Sequence, residues 1–276
     1  MSAGIDKRIE DNKQKIREAI DRATDPAMTE RIRQLQLDSQ GDLIEGWRDL
    51  PEYKQIRAVR DKAWGEISKL EVESVKLNQS RTKALRAAIY ADRPAEFRLS
   101  HVGKTKTSPL TKVATEGADE FGKIVGKGFG IEGRLVGYAK VDSAQGLGSR
   151  AYYGMDSNIY LTKDNGTKTV VHELGHWLED VDEDVHKQAV AFLERRTAGE
   201  PTQALADLFP RSSYDPSEMT KVDKFTNPYM GKIYQGNYCT EIISMGLENF
   251  YADPLGFAQT DPDYFDFIWN LIRGRK

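Results

Sequence analysis

The strongest constraint on this chain lies at residues 170–180, where two histidines stand four residues apart with a glutamate between them. His172, Glu173 and His176 form the spacing H-E-x-x-H, and on a helix positions i and i+4 share one face. Two imidazoles on one face can bind a tetrahedral zinc ion, and the glutamate can take a proton from a water molecule that attacks a carbonyl. Apolar residues flank the motif at Val170, Val171, Leu174, Trp177 and Leu178. The segment therefore predicts a buried helix with one metal-binding face.

This motif resembles the zinc-binding helix of the zincin metallopeptidases. The resemblance implies a zinc-dependent endopeptidase with Zn2+ as its cofactor, a protein or peptide as its substrate and Glu173 as its general base. It also implies an edge strand before the helix that holds the substrate extended, and residues 151–161 lie where that strand would be. A catalytic zinc takes three protein ligands and leaves one position for water, so His172 and His176 need a third ligand.

The third ligand has its best candidate in the acidic, helix-like segment 238–253. Glu241 and Glu248 lie seven residues apart, which places both on one helical face. Ser244, a small residue, follows Glu241 at the third position and would let two helices approach. This arrangement resembles the Glu-x-x-Ala/Ser pattern of the gluzincins, which implies Glu241 as the ligand and leaves Glu248 as the alternative ligand or a partner of a ligand. The segment is also similar to a motif of phage-associated and mobile-element proteins with a zincin-like end.

A second layout of the metal site stays open at this point. In the metzincins the motif continues as H-E-x-x-H-x-x-G-x-x-H or D, and Asp182 stands at the last of these positions. Glu179 occupies the glycine position, however, where the turn favours a residue without a Cβ atom. The residues 244–246 could be mistaken for the Met-turn of that clan. Asp182 is therefore kept as the alternative to Glu241.

The reaction also needs a donor for the negative oxygen of its tetrahedral intermediate. Tyr234 precedes Glu241 by seven residues, and a tyrosine at that offset resembles the one that serves this purpose in lethal-factor-like gluzincins. Tyr238 and Lys232 are alternatives for the same role. Cys239 adjoins the site in sequence, and we expect it to be a buried, inert thiol.

The rest of the chain predicts an α+β protein with two regions. Residues 1–100 form a helical region, and residues 101–276 form a zincin-like metallopeptidase domain with a small mixed sheet and an active-site helix. Residues 99–118 contain breakers and predict a connector, whereas 135–141 and 158–162 have strand character. One apolar stripe in the helical region consists of Ile56, Val59, Ala63, Ile67 and Leu70.

Composition bounds the partners and the compartment. The chain has 276 residues, 40 Lys and Arg, 43 Asp and Glu, and one cysteine. It contains no run of about 18 apolar residues and no apolar segment of a secretory signal, so we expect a soluble cytoplasmic protein without a membrane partner. The basic stretch 76–106 and the acidic residues 179–184 are interpreted as solvated surfaces, and we do not expect nucleic acid as a partner. The oligomeric state stays open.

A different class of function competes with the peptidase. The similarity to phage and mobile-element proteins also fits a structural or interaction protein whose main part is the helical region and whose zinc site is structural or vestigial. Retention of Glu173 argues against this alternative, since a structural site does not need that carboxylate. A toxin or effector peptidase would differ from the first hypothesis in its target rather than in its chemistry.

Overall fold

The computed structural model describes residues 2–90, 109–126, 139–141 and 150–273, except for the single positions 155, 157, 163, 211 and 213. The described chain is mostly helical and contains small sheets, which makes it an α+β protein. It divides into two compact units, Met1–Leu85 and Arg86–Lys276. The predicted boundary between residues 100 and 101 falls outside the described residues.

The first unit contains the helices α1 (Ser2–Ala23) and α2 (Pro26–Gln36), a short 3-10 helix (Trp47–Asp49) and most of α3 (Pro51–Tyr90). Side chains along α1 meet side chains of α3 in reverse order. Arg8 pairs with Glu73 at 2.6 Å, and Arg22 pairs with Glu66 at 2.6 Å. The helices α1 and α3 are therefore antiparallel.

The predicted apolar stripe of α3 is correct except at one position. Ala63 and Ile67 are buried, but Val59 is 44% exposed. The neighbouring Arg60 faces α1 instead, and its Nε donates to the carbonyl oxygen of Ala23 at 3.0 Å. This hydrogen bond satisfies one of the carbonyls left without an intrahelical partner at the end of α1. The face of α3 that packs is thus rotated away from Val59.

The second unit begins its described core with α4 (Pro109–Val125), and here the predicted connector is wrong for residues 109–118. Proline suits the first turn of a helix, where its missing N–H costs nothing. Beyond it, Leu110, Ala114, Ala118 and Phe121 recur at helical spacing and are all buried. The apolar periodicity therefore outweighs the breakers, while residues 99–108 lie outside the described ranges.

A small mixed sheet precedes the motif. Its strands β1 (Ala139–Val141), β2 (Tyr152–Tyr153) and β3 (Ile159–Leu161) stand in the order β1-β3-β2, with β1 parallel and β2 antiparallel to β3. The strand predicted at 158–162 is confirmed as β3. The strand predicted at 135–141 includes β1, and its other residues lie outside the described ranges.

Residues 151–161 form a hairpin, so the prediction of one edge strand over this segment is wrong. The chain reverses between β2 and β3, and the N–H of Gly154 donates to the carbonyl oxygen of Asn158 at 2.8 Å. The carboxylate of Asp156 holds the turn, because it accepts from the side chains of Asn158 and Tyr160, each at 2.6 Å. Within this segment, β2 lies at one edge of the described sheet and β3 lies at its centre.

The remaining elements of the second unit are mostly helical. They are α5 (Thr167–Val181), α6 (Glu183–Arg196), α7 (Leu205–Leu208), α8 (Ile242–Ala252), α9 (Pro254–Thr260) and α10 (Pro262–Ile272), together with the strands β4 (Thr202–Ala204), β5 (Met219–Lys221) and β6 (Lys232–Ile233). The three strands form an antiparallel sheet in the order β4-β5-β6. Short 3-10 helices at Pro228–Gly231 and Gln235–Asn237 lead into and out of β6.

The H-E-x-x-H motif belongs to α5, which packs against both α4 and α8. Glycines allow both contacts. A Cβ atom on Gly117 of α4 would lie 2.4 Å from Cβ of Val170, and one on Gly175 would lie 2.5 Å from Cα of Ser244 in α8. The hydroxyl of Tyr264 in α10 donates to the carbonyl oxygen of Ile242 and fixes the start of α8 from the other side. These contacts place α5 against the beginning of α8.

None of the helices in the described part of the chain is both long enough and apolar enough to cross a membrane.

Candidate metal centre

The helix α5 presents the two histidines of the motif on one face. The rings of His172 and His176 are 5.0 Å apart, and each side chain is 12% exposed. Ligand atoms of these two residues and of Glu173 all lie within 4.8 Å of one another. The opposite side of the helix is buried through its apolar residues, as the pattern predicted. Because the apolar side of α5 is buried, the direction in which His172 and His176 face is fixed.

Glu241 meets both histidines from the second helix. It stands directly before α8 and is fully buried. Its Oε2 atom lies 3.4 Å from Nε2 of His172 and 3.3 Å from Nε2 of His176. The same carboxylate accepts from the hydroxyl of Tyr234 at 2.5 Å through Oε1 and from that of Ser244 at 2.9 Å through Oε2. One oxygen thus converges with two imidazole nitrogens on a common point.

These separations can be compared with those around a zinc ion. Two donor atoms that share a tetrahedral zinc at bond lengths of about 2.0–2.1 Å are about 3.3 Å apart. The distances from Glu241 to both imidazole nitrogens match this value. The donor set of two nitrogens and one carboxylate oxygen is also one that zinc accepts in catalytic sites. The chemistry of these three side chains and the two distances from Glu241 therefore fit a zinc ion.

Glu248 approaches His172 from the other nitrogen of the ring. Its Oε2 atom lies 2.8 Å from Nδ1 of His172, and its Oε1 atom lies 2.7 Å from Nζ of Lys168. A carboxylate in this position fixes the orientation and tautomer of a metal-binding imidazole. The Nδ1 atom of His176 is buried and has no comparable partner among the described residues. Of the two glutamates that the sequence placed on one face, Glu241 faces the histidine pair and Glu248 supports one ring from behind.

The carboxylates around His172 outweigh the effect of its burial. Burial would lower its pKa, but hydrogen bonding to Glu248 and the charges of Glu241 and Glu173 raise the pKa to about 9. The pKa of Glu241 is shifted downwards instead. Burial would raise it, yet the neighbouring histidines and Tyr234 hold it well below its usual range. The cluster therefore favours positive charge at the ring nitrogens, which a proton or a divalent cation can supply.

Glu173 lies beside this point and is 4% exposed. Burial raises its pKa, although both histidines and a hydrogen bond from the backbone N–H of Tyr153 act in the other direction. A carboxylate in such surroundings can hold a proton more readily than one in water. The residue also lines the cleft, so a substrate there would come close to it.

Asp182, the alternative ligand predicted from the sequence, caps the helix α6. It ends α5 and begins α6, and its Oδ1 atom accepts from the N–H groups of Asp184 at 3.1 Å and Val185 at 3.2 Å. This is the role of a helix N-cap. The structure therefore brings Glu241, and not Asp182, to the histidines.

The proposed oxyanion donors lie at different places around the cleft. The hydroxyl of Tyr234 donates to Glu241, while Tyr238 is 68% exposed with its ring 5.4 Å from that of Tyr234. Nζ of Lys232 lies 2.6 Å from Oε1 of Glu218. Tyr234 therefore holds the carboxylate of Glu241, and Tyr238 has the more exposed of the two tyrosine rings.

The cleft in front of the motif has a volume of about 390 Å³. Its walls are rich in aromatic side chains and include Tyr152, Tyr153, Tyr229, Tyr234 and Tyr238. Sequence reasoning missed two of its residues, Arg150 and Tyr229. The guanidinium of Arg150 lies 3.1 Å from the hydroxyl of Tyr229 and above the ring of Tyr214. Neither residue belongs to a spacing pattern, so no signal in the sequence pointed to them.

Cys239 also lines the cleft and is half-buried. Burial raises the pKa of its thiol, and the nearby carboxylates of Glu179 and Glu241 raise it further. A thiol with a raised pKa is a poor nucleophile and a poor metal ligand at neutral pH. This environment favours the inert thiol that the sequence predicted.

The acidic run after the motif is not uniformly solvated, and the prediction is wrong for Glu179. This residue is 2% exposed, and it contacts Thr240 and His186. Burial raises its pKa to about 7. His186 is the partner of this buried acid, with Nδ1 3.0 Å from Oε1 of Glu179. Its sequence neighbours give it no partner spacing, so we interpret it as a structural or surface histidine, as we do His101, which lies outside the described residues.

The chain was compared with protein-family models, with curated proteins and with solved structures, and none of the three comparisons found a match. The geometry of this site is therefore the feature of the chain that points to a function.

Proposed function

We propose that this protein is a zinc-dependent endopeptidase of gluzincin type, with zinc bound by His172, His176 and Glu241. The observation that supports this proposal is the convergence of one Glu241 oxygen on both imidazole nitrogens at 3.3–3.4 Å. Such spacing is expected for ligands of one tetrahedral ion. A peptide is the substrate class because the ligands open into a cleft large enough for side chains on both sides of a bond.

A zinc ion in this position would supply a Lewis acid that polarises a carbonyl and lowers the pKa of water. Glu173 takes a proton from the attacking water and then gives it to the nitrogen of the leaving amine. Its burial favours the protonated form needed between these two steps. Glu248 holds the ring of His172 throughout, through the contact at Nδ1.

Tyr234 remains the proposed donor to the negative oxygen of the intermediate. Its hydroxyl donates to Oε1 of Glu241, so it would have to exchange this partner for the substrate oxygen. Tyr238 and Lys232 lie on the same cleft and are the alternatives. A Tyr234→Phe variant removes only the hydroxyl and separates this role from packing of the ring.

Metal removal tests the proposed function directly. Freshly purified protein should contain stoichiometric zinc and should cleave members of a broad peptide library, since the ligands are already assembled. A chelator should abolish cleavage, and added zinc should restore it, measured by mass spectrometry of the products. Stoichiometric zinc without any cleavage would instead favour the structural or interaction protein. Absence of bound metal after reconstitution would contradict both.

The two glutamates of α8 should differ in their effect on zinc binding. Glu248→Gln should weaken zinc affinity by about 10- to 100-fold, because it replaces only the hydrogen-bonding partner of a ligand. Glu241→Gln should weaken affinity by more than this, because the amide is neutral and a weak ligand. Competition with a chromogenic chelator measures both constants. Equal losses would contradict the separate roles given to the two glutamates, and a larger loss for Glu248→Gln would favour Glu248 as the third ligand.

A further inference from the structure

A buried acid lies next to the metal centre without a part in the proposed reaction. Glu179 is 2% exposed, although a carboxylate is costly to bury unless polar partners surround it. It stands on α5, three residues after His176. Its position on the metal-binding helix and its burial call for partners that compensate for the lost water.

The hydrogen-bond partners of Glu179 connect it to the segment that carries Glu241. Oε2 of Glu179 accepts from the hydroxyl of Thr240 at 3.0 Å, and Thr240 directly precedes Glu241. The same hydroxyl accepts from the N–H of Ile242 at 3.1 Å, in the first turn of α8. On the other side, Oε1 of Glu179 lies 3.0 Å from Nδ1 of His186. A continuous buried chain of hydrogen bonds therefore joins α6, α5 and the start of α8.

The backbone at Glu241 needs such support. Glu241 is the N-cap of α8: its carbonyl oxygen accepts from the N–H of Met245 at 3.0 Å, but its own backbone angles are not helical. The segment that leads to it is kinked, and Gly236 and Asn237 in it both have positive φ. The first N–H groups of a helix have no intrahelical partners, so the orientation of this end depends on contacts from outside. Thr240 supplies one such contact because Glu179 fixes its hydroxyl.

We propose that Glu179 is a positioning residue, which sets the place of the Glu241 carboxylate through Thr240 and thereby the affinity of the site for metal. The inference rests on the proposed zinc site, but it does not depend on peptide cleavage. Two helices that must share one ion are held in register by a carboxylate that binds no metal itself. The distance from Glu241 to the histidines is then a consequence of the bond between Glu179 and Thr240.

Two matched pairs of variants test this inference on zinc affinity, with chelator competition as the measurement. Glu179→Ala removes both hydrogen bonds that Thr240 donates to Glu179, from its hydroxyl and from its backbone N–H, and should weaken affinity by about 10- to 100-fold. Thr240→Val removes only the bond from the hydroxyl and should weaken affinity by less. Glu179→Gln and Thr240→Ser keep a partner of similar shape and should bind zinc close to wild type. In the glutamine variant the amide oxygen can accept from Thr240 and the amide nitrogen can donate to His186. Glu183→Ala, at an exposed site on α6, is the control.

The stability of each metal-free variant, measured by urea unfolding, separates positioning from folding. If Glu179→Ala and Thr240→Val lose stability but bind zinc as tightly as wild type, Glu179 only supports the fold and the inference is wrong. If Glu179→Ala does not fold, the Thr240 pair decides the question. Wild-type protein that binds zinc but cleaves no peptide would refute the proposed function alone, whereas wild-type protein that binds no zinc would refute both.

Discussion

Replacing Glu173 by glutamine should lower peptide hydrolysis by about 10²- to 10⁴-fold, the contribution typical of a general acid or base. Glutamine has nearly the same shape and can still accept the hydrogen bond from the backbone of Tyr153. It cannot take a proton from water at neutral pH. Zinc content should therefore stay at the wild-type level, since His172, His176 and Glu241 are unchanged. Initial rates on a cleaved peptide, with zinc measured on the same sample, give both quantities.

The matched control for this variant is Glu183→Gln, which makes the same chemical change at an exposed position paired with Lys187. Its rate should equal that of wild type. If Glu173→Gln retains full activity with zinc bound, another group moves the proton and the mechanism is wrong. If it loses zinc together with activity, Glu173 is part of the metal cage.

Glu173 also distinguishes the two classes of function. A structural zinc site usually has four protein ligands and excludes water. Here Glu241 is fully buried, the side chains of His172 and His176 remain 12% exposed, and both histidines line the cleft. Glu173 is buried beside these histidines, with a carboxylate oxygen within 4.8 Å of their ligand atoms, and a buried acid at such a place is costly to retain unless it takes part in chemistry. This geometry is the reason that we favour the peptidase over the structural alternative.

Local spacing accounts for the part of the site that could be predicted. The positions of His172 and His176 follow from helical geometry, and so does the common face of Glu241 and Glu248. Spacing does not tell from which side a helix approaches its partner, however. The structure shows that both glutamates reach His172, one at Nε2 and the other at Nδ1. That distinction depends on the packing of α8 against α5, which no local pattern contains.

Long-range burial accounts for the part that could not be predicted. A run of acids is normally solvated, and only the packing of α5 against the start of α8 buries Glu179 among them. Similarly, the connector predicted at 109–118 was inferred from breakers, yet Pro109 opens a helix with an apolar face. The hairpin at 151–161 depends on the side chain of Asp156, whose contacts with Asn158 and Tyr160 a strand pattern does not reveal. The deciding contact is therefore distant in sequence for Glu179, whereas for α4 and the hairpin it lies within the segment and was outweighed in the prediction by the breakers and the strand pattern.

The contact between α5 and α8 yields the second large prediction. Gly175→Ala should destabilise the protein by about 1–3 kcal/mol or more, the usual cost of overpacking a close contact. Its Cβ atom would lie 2.5 Å from Cα of Ser244 and 2.9 Å from the backbone nitrogen of the same residue. A backbone atom cannot rotate away as a side chain can, so the helices must separate. Since Ser244 and Glu241 belong to one segment, zinc affinity should fall as well.

Gly65→Ala is the control for this change, because it places the same methyl group on a helix where no atom lies within 4 Å. Alanine is the better helix former, so this variant should gain about 0.5–1 kcal/mol. Urea unfolding followed by circular dichroism measures both variants, and chelator competition measures their zinc affinity. An unchanged unfolding midpoint and zinc affinity for Gly175→Ala would mean that α5 and α8 are not in the close contact seen here. The approach of Glu241 to the two histidines would then lose its structural basis, because that approach requires a glycine at the point where the helices meet.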